Sequence, residues 1–272
     1  MLILDGARTG IVVLFLIYAS WSDYKSREVS DTVWMLLAPI SLTLTLSELL
    51  LYEPSMLVSY GVTFGLTAVF AVVLFYSGGF GGADAKALMC LALALPFYPE
   101  DLFTPLKLPL SGQPSLISKT FLPITVFSNS VLFAALTAVA LLFYNVAWRL
   151  KTHQSLFEGD QTNESWGKKI LVLITGYKVP VKKLIEKWHV YPMEDIEENP
   201  ERRFKRKLVI LPKDEGRKEM VDRLNEAVNT GTIKDRIWAT PGLPMLIFVT
   251  AGLIVALLVG DIVWMSIRFI LR

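Results

Sequence analysis

Six stretches of this 272-residue chain run close to a bilayer's thickness with almost no charge, which leaves few folds open to it. Runs of about 18 or more apolar residues read as membrane-spanning helices. They fall at 2–21, 32–51, 56–76, 84–99, 121–148 and 243–264. The fourth is the shortest, and the first carries Asp5 and Arg8. That first run ends in Asp23, Lys25 and Arg27 with no small-residue cleavage site after it, so a retained helix is expected. The expected fold class is an α-helical membrane protein of six transmembrane helices, with a small α+β cytoplasmic insert before the last.

The insert is visible as a change of composition. Residues 149–238 hold most of the Lys, Arg, Asp and Glu, enough chain for a small domain. The expected organisation is therefore helices one to five over 1–148, a soluble domain over 149–238 and a last helix within 239–272. Inside the insert, Lys168–Thr175 reads as a strand closed by Gly176, and 181–189 has helical spacing. Phe204–Leu211 reads as a second strand, and Asp214–Val228 as a helix capped near Asp214 and closed by Asn229 and Gly231. The acids from Glu194 to Glu201 read as solvated surface. The basic run Arg202–Lys207 fits a solvated strand edge and contact with anionic headgroups equally well. The proline-rich stretch 99–120 reads as an irregular connection.

Charge also orients the chain. Lys25, Arg27, Lys86, Arg149, Lys151, Lys234 and Arg236 all flank apolar runs on one side of a six-span path. The positive-inside rule makes that side cytoplasmic and puts both termini outside, in a multi-pass plasma-membrane protein. A net charge of +2 gives no reason to invoke nucleic acid. The single Cys90 allows no internal disulfide or cysteine-built metal site, and His153 and His189 lack ligand spacing. Neither a metal nor a cofactor is expected.

Two acids stand where apolar runs begin or end. Asp23 closes the first in Ser20-Trp21-Ser22-Asp23-Tyr24-Lys25. Asp84 follows the glycine-rich turn Ser77-Gly78-Gly79-Phe80-Gly81-Gly82-Ala83. Ionisable groups at a membrane helix are costly and mark function by default, although Asp84 alone is read as readily as a helix N-cap. Both acids fall on the cytoplasmic face of the six-span path. Two carboxyls held close do not easily both ionise, so they share a proton. One can then act as base toward water while the other donates to a carbonyl or leaving amine, the chemistry of peptide hydrolysis. Asp31 reads as a cap of the second run. Glu48, Glu53 and Asp261 lie at outer ends and are not candidates.

The glycine turn, its aspartate and the earlier aspartate resemble the GxGD aspartic membrane proteases. Within them the chain looks most like the archaeal preflagellin peptidases, relatives of the bacterial type IV prepilin peptidases. The matching residues are Ser20–Val29, Gly81-Gly82-Ala83-Asp84-Ala85-Lys86-Ala87-Leu88, and Pro241-Gly242-Leu243-Pro244-Met245 with Gly260-Asp261. Ala83 stands where the formula has its second glycine. The resemblance implies that Asp23 and Asp84 are the catalytic pair. It makes Gly81, Gly82, Ala83, Lys86, Pro241 and Pro244 candidates for shaping the turn or positioning substrate. It further implies removal of the short basic signal peptide of preflagellins or related pilin-like precursors. The cysteine-bearing zinc domain of many bacterial relatives is not found, so peptidase activity without methyl transfer is expected. A presenilin-like intramembrane protease and a transporter-type helix bundle are the alternatives.

Overall fold

The computed structural model describes residues 2–106, 119–197, 205–209 and 216–271. The chain divides into two units, Met1–Ala134 with Pro244–Arg272, and Ala135–Leu243. The division falls inside one long helix.

The first unit contains α1 (Leu2–Ser26), α2 (Asp31–Tyr52), α3 (Leu57–Tyr76) and α4 (Gly82–Ala94). The start of α5 (Leu122–Thr152), then α9 (Met245–Leu258) and α10 (Ile262–Ile270), complete it. Four helices are long and apolar enough to cross a membrane: α1, α2, α3 with the short turn before it, and α5. A fifth crossing is made if α9 and α10 count as one span, bent by 67°. The expected span at 84–99 takes a different form. Its helix has 13 residues and rises about 20 Å, short of the roughly 30 Å hydrocarbon layer. It packs against α1, α2, α3 and α9, burying Ala85, Ala87, Leu88, Cys90, Leu91, Ala92 and Ala94. Hydropathy marks such a helix as apolar without revealing that protein, not lipid, surrounds it.

The expected last span is likewise broken. Gly260 has φ +100, a torsion that favours glycine, and Asp261 caps α10 by accepting from Trp264 N at 2.9 Å. Asn129, fully buried in α5, seals the break on both sides. Its Nδ2 donates to Gly260 O at 3.0 Å and its Oδ1 accepts from Ile262 N at 3.1 Å. Small residues let α5 and α9 approach closely. A Cβ on Gly252 would lie 2.7 Å from Val126 O and 3.1 Å from Ser130 N.

In the second unit, β1 (Tyr177–Val179), β5 (Ile237–Pro241) and β2 (Val190–Pro192) form an antiparallel sheet in the order β1-β5-β2. β3 (Glu194–Glu197) pairs with β4 (Lys205–Leu208). Helices α6 (Trp166–Thr175), α7 (Val181–Glu186) and α8 (Arg217–Asn229) complete the unit. Its core is built on Leu184, Leu224, Ile237 and Trp238.

Three local expectations differ from the structure. Lys168–Thr175 is helix α6, started by Ser165, whose side chain accepts from Lys168 N; the strand comes only after Gly176. A continuous apolar run fits either element, and the cap decides it. Glu194 is not surface but fully buried, bonded to Gln161 and paired with Arg206 at 2.7 Å. Burial pushes its carboxyl above the usual carboxylate range, and Arg206 opposes that. Asp195 pairs with Arg223 at 2.8 Å. The helix expected from Asp214 starts at Arg217 after Gly216, whose φ is +80; Asp214 and Arg202–Phe204 lie outside the described residues.

Candidate active site

α1 ends where Arg27 takes φ 59 and its N–H donates to Asp23 O at 3.0 Å. This leaves Asp23 in the last turn, half-buried beside the start of α9. Pro244 is the N-cap of α9, and its preset torsion suits a helix entrance. The N–H of Leu246, one of the donors a first turn cannot use internally, meets Asp23 Oδ2 at 3.3 Å. One turn back on α1, Ser20 Oγ donates to Leu246 O at 2.8 Å and lies 2.7 Å from Thr250 Oγ1. Thr250 also reaches Leu16 O at 3.2 Å. A zipper of hydroxyls thus fixes α1 against α9 in the register that Asp23 requires.

Asp84 is placed by the glycine turn. α3 stops at Gly78 with φ +75, and the N–H groups of Gly79 and Phe80 both return to Leu74 O. Phe80 then buries itself against Phe127, ring centroids 5.6 Å apart, which pins the turn. Gly81 precedes α4, and its N–H donates to Asp84 Oδ2 at 3.0 Å. Asp84 is therefore the third residue of α4, reaching back to cap it, and not the N-cap itself. A Cβ on Gly81 would lie 3.1 Å from that oxygen, so the close approach needs glycine.

Asp23 and Asp84, 61 residues apart in the chain, stand on two helices, α1 and α4, that pack against each other. Each is half-buried, each accepts one backbone N–H, and neither makes an ion pair among the described residues. Lys86 turns to Asp31 at 2.5 Å, tying α4 to the first turn of α2, where Ser30 is the cap. Ala83 packs on the bundle core. Gly82 opens α4, where an added Cβ would make only an ordinary contact with Phe75 at 3.6 Å. Pro241 ends β5 opposite Val190 in the second unit. Among the described residues no group of three or more His, Cys, Asp or Glu can hold a metal ion.

Sequence reading missed Leu246, Ser20 and Thr250. Ser20 lies three residues before Asp23 on one face of α1, the only signal it offers.

Comparison with known proteins places the molecule among membrane-bound peptidases. The model of the type IV leader peptidase family matches residues 10–139, both aspartates included. The model for the type II C-terminus of archaeal A24 peptidases matches residues 168–262. The chain is similar to the preflagellin peptidase of Methanococcus maripaludis (strain C6), 26% identical over 92% of this chain and 94% of that one. It is similar also to the preflagellin peptidases of Methanococcus voltae, 24% identical over 92% and 94%, and of Methanocaldococcus jannaschii, 26% over 90% and 91%.

Proposed function

We propose that this protein is an aspartic endopeptidase that removes the leader of preflagellins, and of related pilin-like precursors, with Asp23 and Asp84 as its catalytic pair. The observation that carries the reading is a pair of half-buried carboxylates on contacting helices, each bonded to a backbone amide and neither in an ion pair among the described residues. A salt-bridged acid is poorly placed to take up and release a proton, and neither of these makes an ion pair among the described residues.

The chemistry follows from one shared proton. The ionised carboxylate takes a proton from water as its oxygen attacks the scissile carbonyl carbon. The protonated carboxyl gives its proton to the carbonyl oxygen, forming a neutral tetrahedral diol. The proton gained by the first acid passes to the leaving amine as the C–N bond breaks. Return of a diol proton to the second acid restores the carbonyl and the starting pair.

The basic residues at these helix ends support a cytoplasmic catalytic face by the positive-inside rule. There a substrate can leave its charged leader in water while its apolar segment enters the bundle. Membranes carrying wild type, Asp23→Asn or Asp84→Asn are tested for cleavage of a preflagellin precursor. Both variants are expected to leave it uncut while folding normally. Near wild-type turnover by either overturns the assignment.

A further inference from the structure

The outward face of α6 is apolar, which is the reverse of what a helix in a soluble domain presents. Trp166 is 79% exposed, Ile170 52% and Leu171 40%, with Ile174 partly exposed between them. At 100° per residue these four share one arc, and no charged residue falls within it. Both lysines of the helix lie outside this arc, Lys169 at its edge with its ammonium 5.3 Å from the Trp166 ring centroid. Lys168 pairs with Glu164 at 3.0 Å, and Lys169 donates to Thr162 O at 2.6 Å. The only fully buried residue of the helix is Val172. A face like this is normally covered.

What covers it is set by the helix's attachment. Asn145 of α5 is buried, and its Nδ2 donates to the end of α6 twice, to Leu173 O at 2.8 Å and Gly176 O at 2.7 Å. The Tyr144 and Tyr177 rings meet edge to face at 6.2 Å beside that joint. Asn145 lies within a span-length apolar helix, four residues before Arg149, the first basic residue of its last turn. Four residues rise about 6 Å. The end of α6 is thus fastened below the level at which α5's own cations reach the headgroups. Around the joint α5 exposes Phe143, Tyr144, Val146 and Leu150, the apolar flank of a membrane span. Beyond the joint α6 too is exposed and apolar, at Trp166, Ile170 and Leu171.

We infer that α6 is an interfacial helix lying in the membrane surface, with Trp166, Ile170, Leu171 and Ile174 buried among phospholipid acyl chains. Helices of this kind sink about 5–10 Å into the headgroup boundary, which matches the depth of the Asn145 joint. Trp166 at its N-terminal end suits the interface, where an indole keeps one edge in the polar layer. The second unit is then anchored to the bilayer directly, independently of the reaction proposed for the aspartates.

Nitroxide labels test this in the full chain reconstituted in vesicles of mixed zwitterionic and anionic phospholipid. Single cysteines replace Trp166, Ile170 or Leu171, and Lys218 on exposed α8 serves as the water-facing control. The buried native Cys90 stays in place, and its background labelling is measured on the unsubstituted chain. Collision with oxygen should exceed collision with a water-soluble nickel chelate at 166, 170 and 171, with the order reversed at 218. Nickel access at 170 and 171 equal to that at 218 overturns the inference. So does dipolar broadening at those positions, which would mean that a second copy of the chain covers the face.

Discussion

The two ends of α4 meet acids of opposite character. At its C-terminal end Asp5 and Glu48 close on Arg8, with Arg8 Nη2 2.6 Å from Glu48 Oε2 and also bonded to Asp5. Arg8 reaches Thr45 at 3.4 Å, and Thr45 donates at 2.8 Å to Leu93 O, one of the last carbonyls of α4. Those acids are spent on holding the helix. At the N-terminal end Asp84 and Asp23 accept only backbone N–H groups among the described residues. Both clusters are carboxylate pairs in an apolar bundle, so burial alone does not mark a catalytic acid. The absence of a bonded cation separates them, since a paired carboxylate is poorly placed to take up and release a proton.

The widest gap between the two ends is expected from isosteric amides. Asp84→Asn or Asp23→Asn should lower cleavage by at least about a hundredfold, the scale of acid–base catalysis, with an unchanged melting midpoint in detergent. Asp5→Asn should leave most of the activity. A comparable loss from Asp5→Asn would erase the distinction. Arg8→Met should do the reverse of Asp84→Asn. Leaving two acids without their cation costs roughly 3–5 kcal/mol, read as a large fall in thermal stability. Cleavage by the molecules that remain folded should fall far less. Unchanged stability would show that the cluster is not the anchor of α4.

Between these extremes lies the seam that positions Asp23. Ser20→Ala removes a hydroxyl bonded to Leu246 O and Thr250. It should cost about 1 kcal/mol of stability, and cleavage should drop through kcat more than KM because the displaced group is the acid. A change confined to KM would make Ser20 a substrate contact instead.

How much of this was legible in the chain depends on whether the cause is local. The apolar runs announced helices, because hydrocarbon leaves the backbone little else to do. Asp23 and Asp84 stood out as charges at the ends of such runs. The nature of α4 was hidden, because an alanine-rich helix sheathed by four others has the hydropathy of one facing lipid. The strand expected at 168–175 failed for a related reason, its apolar run facing outward in α6 and not into a sheet. Glu194 looked like surface because its partners, Gln161 and Arg206, lie 33 and 12 residues away. The Asp23–Leu246 bond spans 223 residues, and nothing in either neighbourhood signals it.

The smallest effect should come from a residue that the motif alone would rank with the largest. Gly81 and Gly82 are adjacent, and neither needs a left-handed torsion; Gly81 has φ −71. They differ in what a methyl group would meet. On Gly81 it would press on Asp84 Oδ2 at 3.1 Å, on the oxygen that the Gly81 N–H holds. To relieve the crowding, either the carboxylate rotates off its amide or the turn shifts, and both move the acid. Gly81→Ala should therefore cut cleavage by about tenfold, since misplacing a catalytic group by a fraction of an ångström is costly. On Gly82 the methyl would rest on the Phe75 ring at 3.6 Å, an ordinary contact, and Ala favours the first turn of a helix over Gly. Gly82→Ala should change cleavage by less than about twofold and leave the melting midpoint level or slightly higher. Equal losses from the two substitutions would mean that the turn acts as a flexible hinge. Unequal losses would assign the requirement for glycine to the space beside Asp84.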